Sequence, residues 1–151
     1  MRAVFLNRGT LDRGDLDFAG VEAELGQLES HDSTPAGRVA ERVAGADIVI
    51  LNKVVLDRAV LEQARPGLVA LVATGFDNVD VAACRDLGIA VSNVRGYGTD
   101  SVAQHAIGLL LALATRLIDY QRDVAAGAWN RAEQFCLLDH PIVELAGRTL
   151  G

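Results

Sequence analysis

The chain has 151 residues, half of them hydrophobic and 23% charged, with a formal net charge of −6. That length makes one ordinary domain, or one and a half small ones, able to bury about 70% of its unfolded surface. The acidic balance, with no run of Lys or Arg, argues against a nucleic-acid binder, which would carry a basic stripe.

The opening MRAVFLNRGT lacks the apolar segment of a signal peptide, and residues 3–7 (AVFLN) read as a first strand. Residues 18–25 (FAGVEAEL) repeat apolar side chains every three to four positions, a helix pattern, and residues 27–32 (QLESHD) form a weak second strand. In residues 34–44 (TPAGRVAERVA), Pro35 takes a first-turn position ahead of a helix. Residues 46–52 (ADIVILN) are a buried strand, and residues 57–64 a helix capped by Asp57. Residues 68–73 (LVALVA) give the next strand, residues 79–88 a helix ended by Gly88, and residues 89–93 (IAVSN) the fifth strand.

Alternating strands and helices imply βαβ units, and continuous apolar strands imply a sheet covered on both faces. The expected fold is α/β: a flavodoxin-like doubly wound parallel sheet of about five strands. Ligands of such sheets bind beyond the carboxyl ends of the strands. Here that edge holds Asn7, Asn52, Lys53, Thr74, Gly75 and Asn93.

The second part differs in kind. After NVRGYGTD, residues 101–124 read as one long helix with Ser101 and Gln104 as a capping box. Residues 106–114 have no polar face, so something must cover them on every side. Residues 125–151 have turn signals, isolated large residues (Trp129, Phe135) and no period, as in an arm that packs on a partner. The final GRTLG looks like a strand barely begun, so the chain reads as a fragment. Its longest apolar run, AIGLLLALA, is too short for a membrane span, and a cytoplasmic location is expected. Cys84 and Cys136 have neither disulfide-framework nor metal-ligand spacing and read as small apolar fillers.

Four stretches in order, NKVVLDRAVLEQA, VATGFDNVDVAACRDLGIAVSNV, GYGTDSVAQHAIGLLLAL and ELAGRTLG, resemble the D-isomer-specific 2-hydroxyacid dehydrogenases, in particular the glycerate dehydrogenase (hydroxypyruvate reductase) branch. The resemblance implies a substrate domain over residues 1–95. Residues 96–151 would then be an interdomain helix, a dimer arm and the start of a truncated dinucleotide-binding (Rossmann) domain. It implies NAD or NADP as cofactor, a small 2-hydroxy or 2-oxo acid as substrate, and a homodimer formed through residues 101–145. Neither the family's Gly-x-Gly-x-x-Gly loop nor its catalytic arginine, glutamate and histidine is assigned in this chain. No catalytic or metal residue is therefore nominated, and the chain alone is expected to be inactive.

Thr74 and Gly75 match positions whose backbone amides bind the substrate carboxylate in the family. The physics agrees, since a glycine lets an anion approach and free amides near a helix start attract it. Asp77 then looks like the N-cap of that helix, with Asp80 in its first turn. The plain alternative is a turn-forming glycine. Asn52 and Lys53 are the other substrate-side candidates, Lys53 by charge and Asn52 by orienting a hydroxyl or the loop, against a solvated lysine and a strand-ending asparagine. By position, Thr99 and Val102 match family residues near the nicotinamide; the alternative is an ordinary capped helix. His105 reads as a packed helix histidine. Two other functions share this fold: a non-catalytic dimeric regulatory or scaffold module, and a flavodoxin-like signalling domain. Against the latter, Asn52 stands where a phosphoacceptor aspartate is wanted.

Overall fold

The computed structural model describes all 151 residues, which divide into two compact units, Met1–Tyr97 and Gly98–Gly151. The first unit is a five-stranded parallel sheet with strand order β2-β1-β3-β4-β5, built from β1 (Arg2–Phe5), β2 (Gln27–Ser30), β3 (Ile48–Leu51), β4 (Leu68–Leu71) and β5 (Ala90–Ser92). The strands are joined by α1 (Ala19–Leu25), α2 (Val39–Val43), α3 (Arg58–Ala64) and α4 (Val81–Leu87). This is the expected α/β architecture, with every predicted strand and helix of the first unit present.

The period-two alternation of strand side chains decides where the core sits. Val4, Leu6, Val49, Leu51, Val69 and Leu71 face one way and are buried against Val39 and Val43 of α2, Leu61 of α3, and Ala83 and Cys84 of α4. Phe5 lies outside that cluster and packs on Phe18, just before α1, with ring centroids 6.2 Å apart. The three central strands carry most of the buried side chains, whereas β2 and β5 form half-exposed edges. Arg58 joins α3 to α4 through a 2.7 Å ion pair with Asp86.

Asp57 caps α3 as expected, accepting from Val60 N–H at 2.9 Å, and Gly88 ends α4 in the left-handed conformation, φ +71°. The start of α4 differs from the expectation. Asp80, not Asp77, is the N-cap and accepts from Ala83 N–H at 2.7 Å. Residues just before it are committed to tertiary bonds, Asp80 N–H to Leu56 O at 3.0 Å and Leu56 N–H to Asn78 O at 2.9 Å, which delay the helix. Pro35 precedes a single 3-10 turn, Ala36–Arg38, before the short α2.

The second unit contains α5 (Thr99–Ala114), α6 (Leu117–Ala125) and α7 (Ala128–Arg131). The single long helix expected here is broken, and the axes of α5 and α6 differ by 62°. Arg116 adopts φ +54°, while Thr115 bonds back to Leu111 O at 2.7 Å, which weakens the helical ladder. Val143 N–H then takes the carbonyl of Ala114 at 2.8 Å. The Ser101–Gln104 capping box is also absent: α5 begins at Thr99, and no side chain caps it. The apolar character of α5 is as expected, with Leu109, Leu111 and Leu113 all exposed and only Ala114 buried. No single helix is long and apolar enough to cross a membrane.

Replacing an N-cap aspartate by alanine costs about 1 kcal/mol. Asp80→Ala is expected to lower the unfolding free energy by that amount, measured by urea denaturation, and Asp77→Ala to leave it nearly unchanged.

Candidate functional site

The carboxyl edge of the sheet is held together by side-chain amides. Asn7 is 4% exposed, and its Oδ1 accepts from Asn52 N–H at 2.8 Å, tying the end of β1 to the end of β3. Asn52 Nδ2 donates to Thr10 Oγ1 at 3.0 Å, and that hydroxyl donates to Asn7 O at 2.8 Å. Gly9 meets residue 32 so closely that a Cβ there would lie 2.9 Å from Asp32 O, so only glycine fits. Asn78 Nδ2 donates to Val54 O at 2.7 Å and to Asn52 O at 3.2 Å, joining the loop after β4 to the exit of β3.

On its other side the same loop is tied to the end of β5. Val94 N–H donates to Ala73 O at 3.1 Å, Asn93 Nδ2 to Thr74 O at 2.8 Å, and the Thr74 hydroxyl to Val94 O at 2.8 Å. The carbonyls of Ala73, Thr74, Phe76 and Asn78 are thus all used as acceptors. The backbone N–H groups of residues 74–78 are not used as donors at all. Thr74, Gly75, Phe76 and Asp77 are exposed and Asn78 is half-buried, so the run lies at the surface. A Cβ at Gly75 would meet only Asp77 Oδ1, at 3.4 Å. Because α4 starts at Val81, the unpaired amides belong to a loop and not to a helix N-terminus, contrary to the expectation of help from the helix dipole.

Among the nominated residues, Asn52 stands beside Asn78 and acts on the loop, whereas Lys53 borders a separate cavity after β3 and has no acidic partner. Thr99 and Val102 lie in the second unit. There the N–H groups of Thr99, Asp100 and Ser101 have no acceptor, and Val102 is 68% exposed. His105 is exposed and unpaired, not packed, because α5 presents no covered face at that position. Asn78 is absent from the sequence expectation, and Asn93 enters it only as part of the sheet edge. Their signal was an asparagine immediately next to a buried strand or helix start, which is easily taken for ordinary turn punctuation.

Arg8, hydrogen-bonded to Asp12, holds that carboxyl below the usual carboxylate range, and Gly14 and Leu16 N–H groups act the same way. A lowered folded-state pKa stabilises the loop above the unfolded value of ~3.9, and the effect is lost as pH falls through the folded value. Burial pushes the Cys84 thiol up, which leaves it unreactive. Cys136 is only half-buried, so it is not the core filler expected from the sequence.

Comparison with known proteins agrees with this architecture. Residues 9–144 match the family described as "D-isomer specific 2-hydroxyacid dehydrogenase, catalytic domain", and the chain belongs to that family. It is 40% identical over 151 residues to a glycerate dehydrogenase of Methylorubrum extorquens, covering 99% of this chain and 47% of that protein. It is 38% identical over 156 residues to a hydroxypyruvate reductase of Blautia hydrogenotrophica, covering 100% of this chain and 48% of that protein. The solved structure of the pyruvate reductase of Chlamydomonas reinhardtii superposes with a TM-score of 0.67 at 26% identity, over 96% of this chain and 42% of that one. The chain therefore spans about half the length of these curated relatives.

Removing a donor from carbonyls with no other partner costs about 1–3 kcal/mol. Asn78→Ala is expected to lower stability within that range and to speed amide exchange at Leu56 and Val79, read by hydrogen-exchange NMR. A maleimide is expected to label Cys136 in the folded chain and Cys84 only after denaturation.

Proposed function

We propose that this chain is the substrate-holding part of an NAD- or NADP-dependent oxidoreductase that interconverts a D-2-hydroxy acid and its 2-oxo acid, of the glycerate and hydroxypyruvate type. The observation that carries this reading is the run of exposed, undonated amides after β4. A run of unused N–H groups suits a carboxylate, and the lack of a side chain at Gly75 lets it come close. Thr74 and Gly75 are the substrate-binding residues of this reading. Asn52 holds the neighbouring strand end in register, and Lys53 adds positive charge to the same edge. The substrate's carboxylate is fixed first, which leaves its C2 oriented for reaction.

The nicotinamide cofactor supplies the hydride acceptor or donor. Only the start of α5 fits a margin of it here, through the free amides at Thr99–Ser101 and the exposed Val102, so Thr99 and Val102 are the proposed cofactor-side residues. No Gly-x-Gly-x-x-Gly occurs in the sequence, and the body of a dinucleotide has no cradle among these residues. The family's arginine, glutamate and histidine have no assigned counterpart in the chain. The chain by itself is thus read as binding the acid without reducing it. The exposed leucines of α5, together with Trp129 and the 92% exposed Phe135, support a homodimer formed through residues 101–145.

Titration of the labelled chain with hydroxypyruvate is expected to move the amide signals of Thr74 and Gly75. Gly75→Val should weaken that binding about tenfold or more by blocking anion approach, with the melting temperature little changed. Mixed with NADH and hydroxypyruvate, the chain should show no turnover above background. Measurable turnover would overturn the assignment of the proton-transfer machinery outside these residues.

A further inference from the structure

The strand order β2-β1-β3-β4-β5 reverses direction between β1 and β3. In open parallel sheets that switch point opens a crevice beyond the carboxyl ends of the strands. A cavity of about 490 Å³ lies there, bordered by the segments that follow β1, β2 and β3. Its size is within the range of small-molecule sites. None of its lining residues belongs to the loop after β4, so it is distinct from the amide run at residues 74–78.

The polar groups around this crevice have an uneven balance of donors and acceptors. Asn7 is more than nine-tenths buried and borders the cavity. Its Oδ1 must be the atom that accepts from Asn52 N–H, since a backbone amide can only donate, and this assigns the other atom as Nδ2. That NH₂ group donates to nothing in the fold. Lys53 also borders the cavity and has no acidic partner, and the Ser33 hydroxyl bonds to no protein group. The remaining polar groups are already committed. Thr10 and Thr34 donate to Asn7 O and Leu6 O, and Asp57 Oδ1 accepts the Val60 N–H, so the one carboxylate on the lining is partly engaged as the α3 cap. Unused donors, one cation (Lys53) and one anion (the α3 cap Asp57) therefore border a space whose apolar lining includes Val39, Val54 and Val60.

We propose that this switch-point crevice is a second binding site, for a small monocarboxylate with a short branched apolar tail. The carboxylate accepts from Asn7 Nδ2, Lys53 and Ser33, and the tail packs on the valines. Charge-assisted hydrogen bonds of this kind are about twice as strong as neutral ones, so the carboxylate end dominates recognition. This inference goes beyond the reading of residues 74–78 and shares only Lys53 with it, and neither Asn7 nor Ser33 belongs to that reading.

The probe is isovalerate, a branched carboxylate with neither a 2-oxo nor a 2-hydroxy group, titrated into the ¹⁵N-labelled chain. Amide signals of Asn7, Ser33 and Val54 are expected to move together and saturate. Asn7→Asp keeps the oxygen that accepts from Asn52 N–H but replaces the donor by an anionic oxygen, and should weaken isovalerate about tenfold or more. Ser33→Ala, at an exposed position that leaves the core intact, should weaken it by a smaller factor. In both variants the hydroxypyruvate response at Thr74 and Gly75 should persist. If the crevice signals stay still at millimolar isovalerate, if only Thr74 and Gly75 respond, or if Asn7→Asp binds as well as the parent, the proposal is overturned. Inorganic phosphate binding more tightly than isovalerate would overturn the assigned ligand class. Loss of the hydroxypyruvate response alone would instead count against the carboxylate site after β4.

Discussion

Side-chain amides that bind backbone at the ends of parallel strands are the constraint on which the rest of the first unit depends. A parallel sheet leaves the last polar groups of each strand without a ladder partner, and buried groups of that kind are costly. Asn7, Asn52, Asn78 and Asn93 meet that demand by bridging one strand exit to the next. Asn78 and Asn93 do so by donating to carbonyls, Asn52 by donating to the Thr10 hydroxyl, and Asn7 by accepting a backbone N–H. Backbone donors of residues 74–78 are left unused, and a run of unused N–H groups is an arrangement that suits an anion. The same surplus of donors recurs at the switch point, where Asn7 spends its oxygen on β3 and keeps its NH₂ free.

The second unit obeys a different rule. Residues 106–114 of its first helix are apolar on all sides and mostly exposed within the chain, which is a costly arrangement in water. A helix with that composition is built to be enclosed, and the large exposed side chains of the following segment belong to the same pattern. Its end is set by neighbours within the unit. The segment near Pro141 and Val143 takes up the free carbonyl of Ala114 and lies near the Arg116 guanidinium, while His140 pairs with Asp123 at 2.7 Å and receives the Tyr120 hydroxyl on its carbonyl. These contacts turn the chain at Arg116, where helix propensity alone favours continuation.

Much of this was legible in the residues. Apolar runs such as IVIL and LVAL can only be strands covered by helices, and the caps at Asp57 and Gly88 follow from local chemistry within a few residues. A Thr-Gly pair between a buried strand and a helix is recognisable as a strand exit, and that is where Thr74 and Gly75 lie; their carboxylate-binding role comes from the family resemblance and stands as a proposal. Where reading from sequence failed, a distant partner had intervened. Asp77 has the composition of a cap, but the backbone before α4 is pulled into bonds with Leu56, so the helix starts at Val81 and Asp80 takes the role. Ser101 and Gln104 have capping-box spacing, yet α5 begins two residues earlier.

By itself the sequence determined the period of each element, the order of strands and helices along the chain, and the class of fold they build, because these depend on side chains a few positions apart. It also carried the motifs that place the chain among the 2-hydroxyacid dehydrogenases. The tertiary structure alone decided which amides stay unpaired, that Asn78 staples two loops, and that the β1–β3 switch point opens a cavity beside the free NH₂ of Asn7. Hydrogen-bond satisfaction depends on which groups meet across the sheet, and residues as far apart in the chain as Asn7 and Asn52 meet only once the strands have been laid side by side.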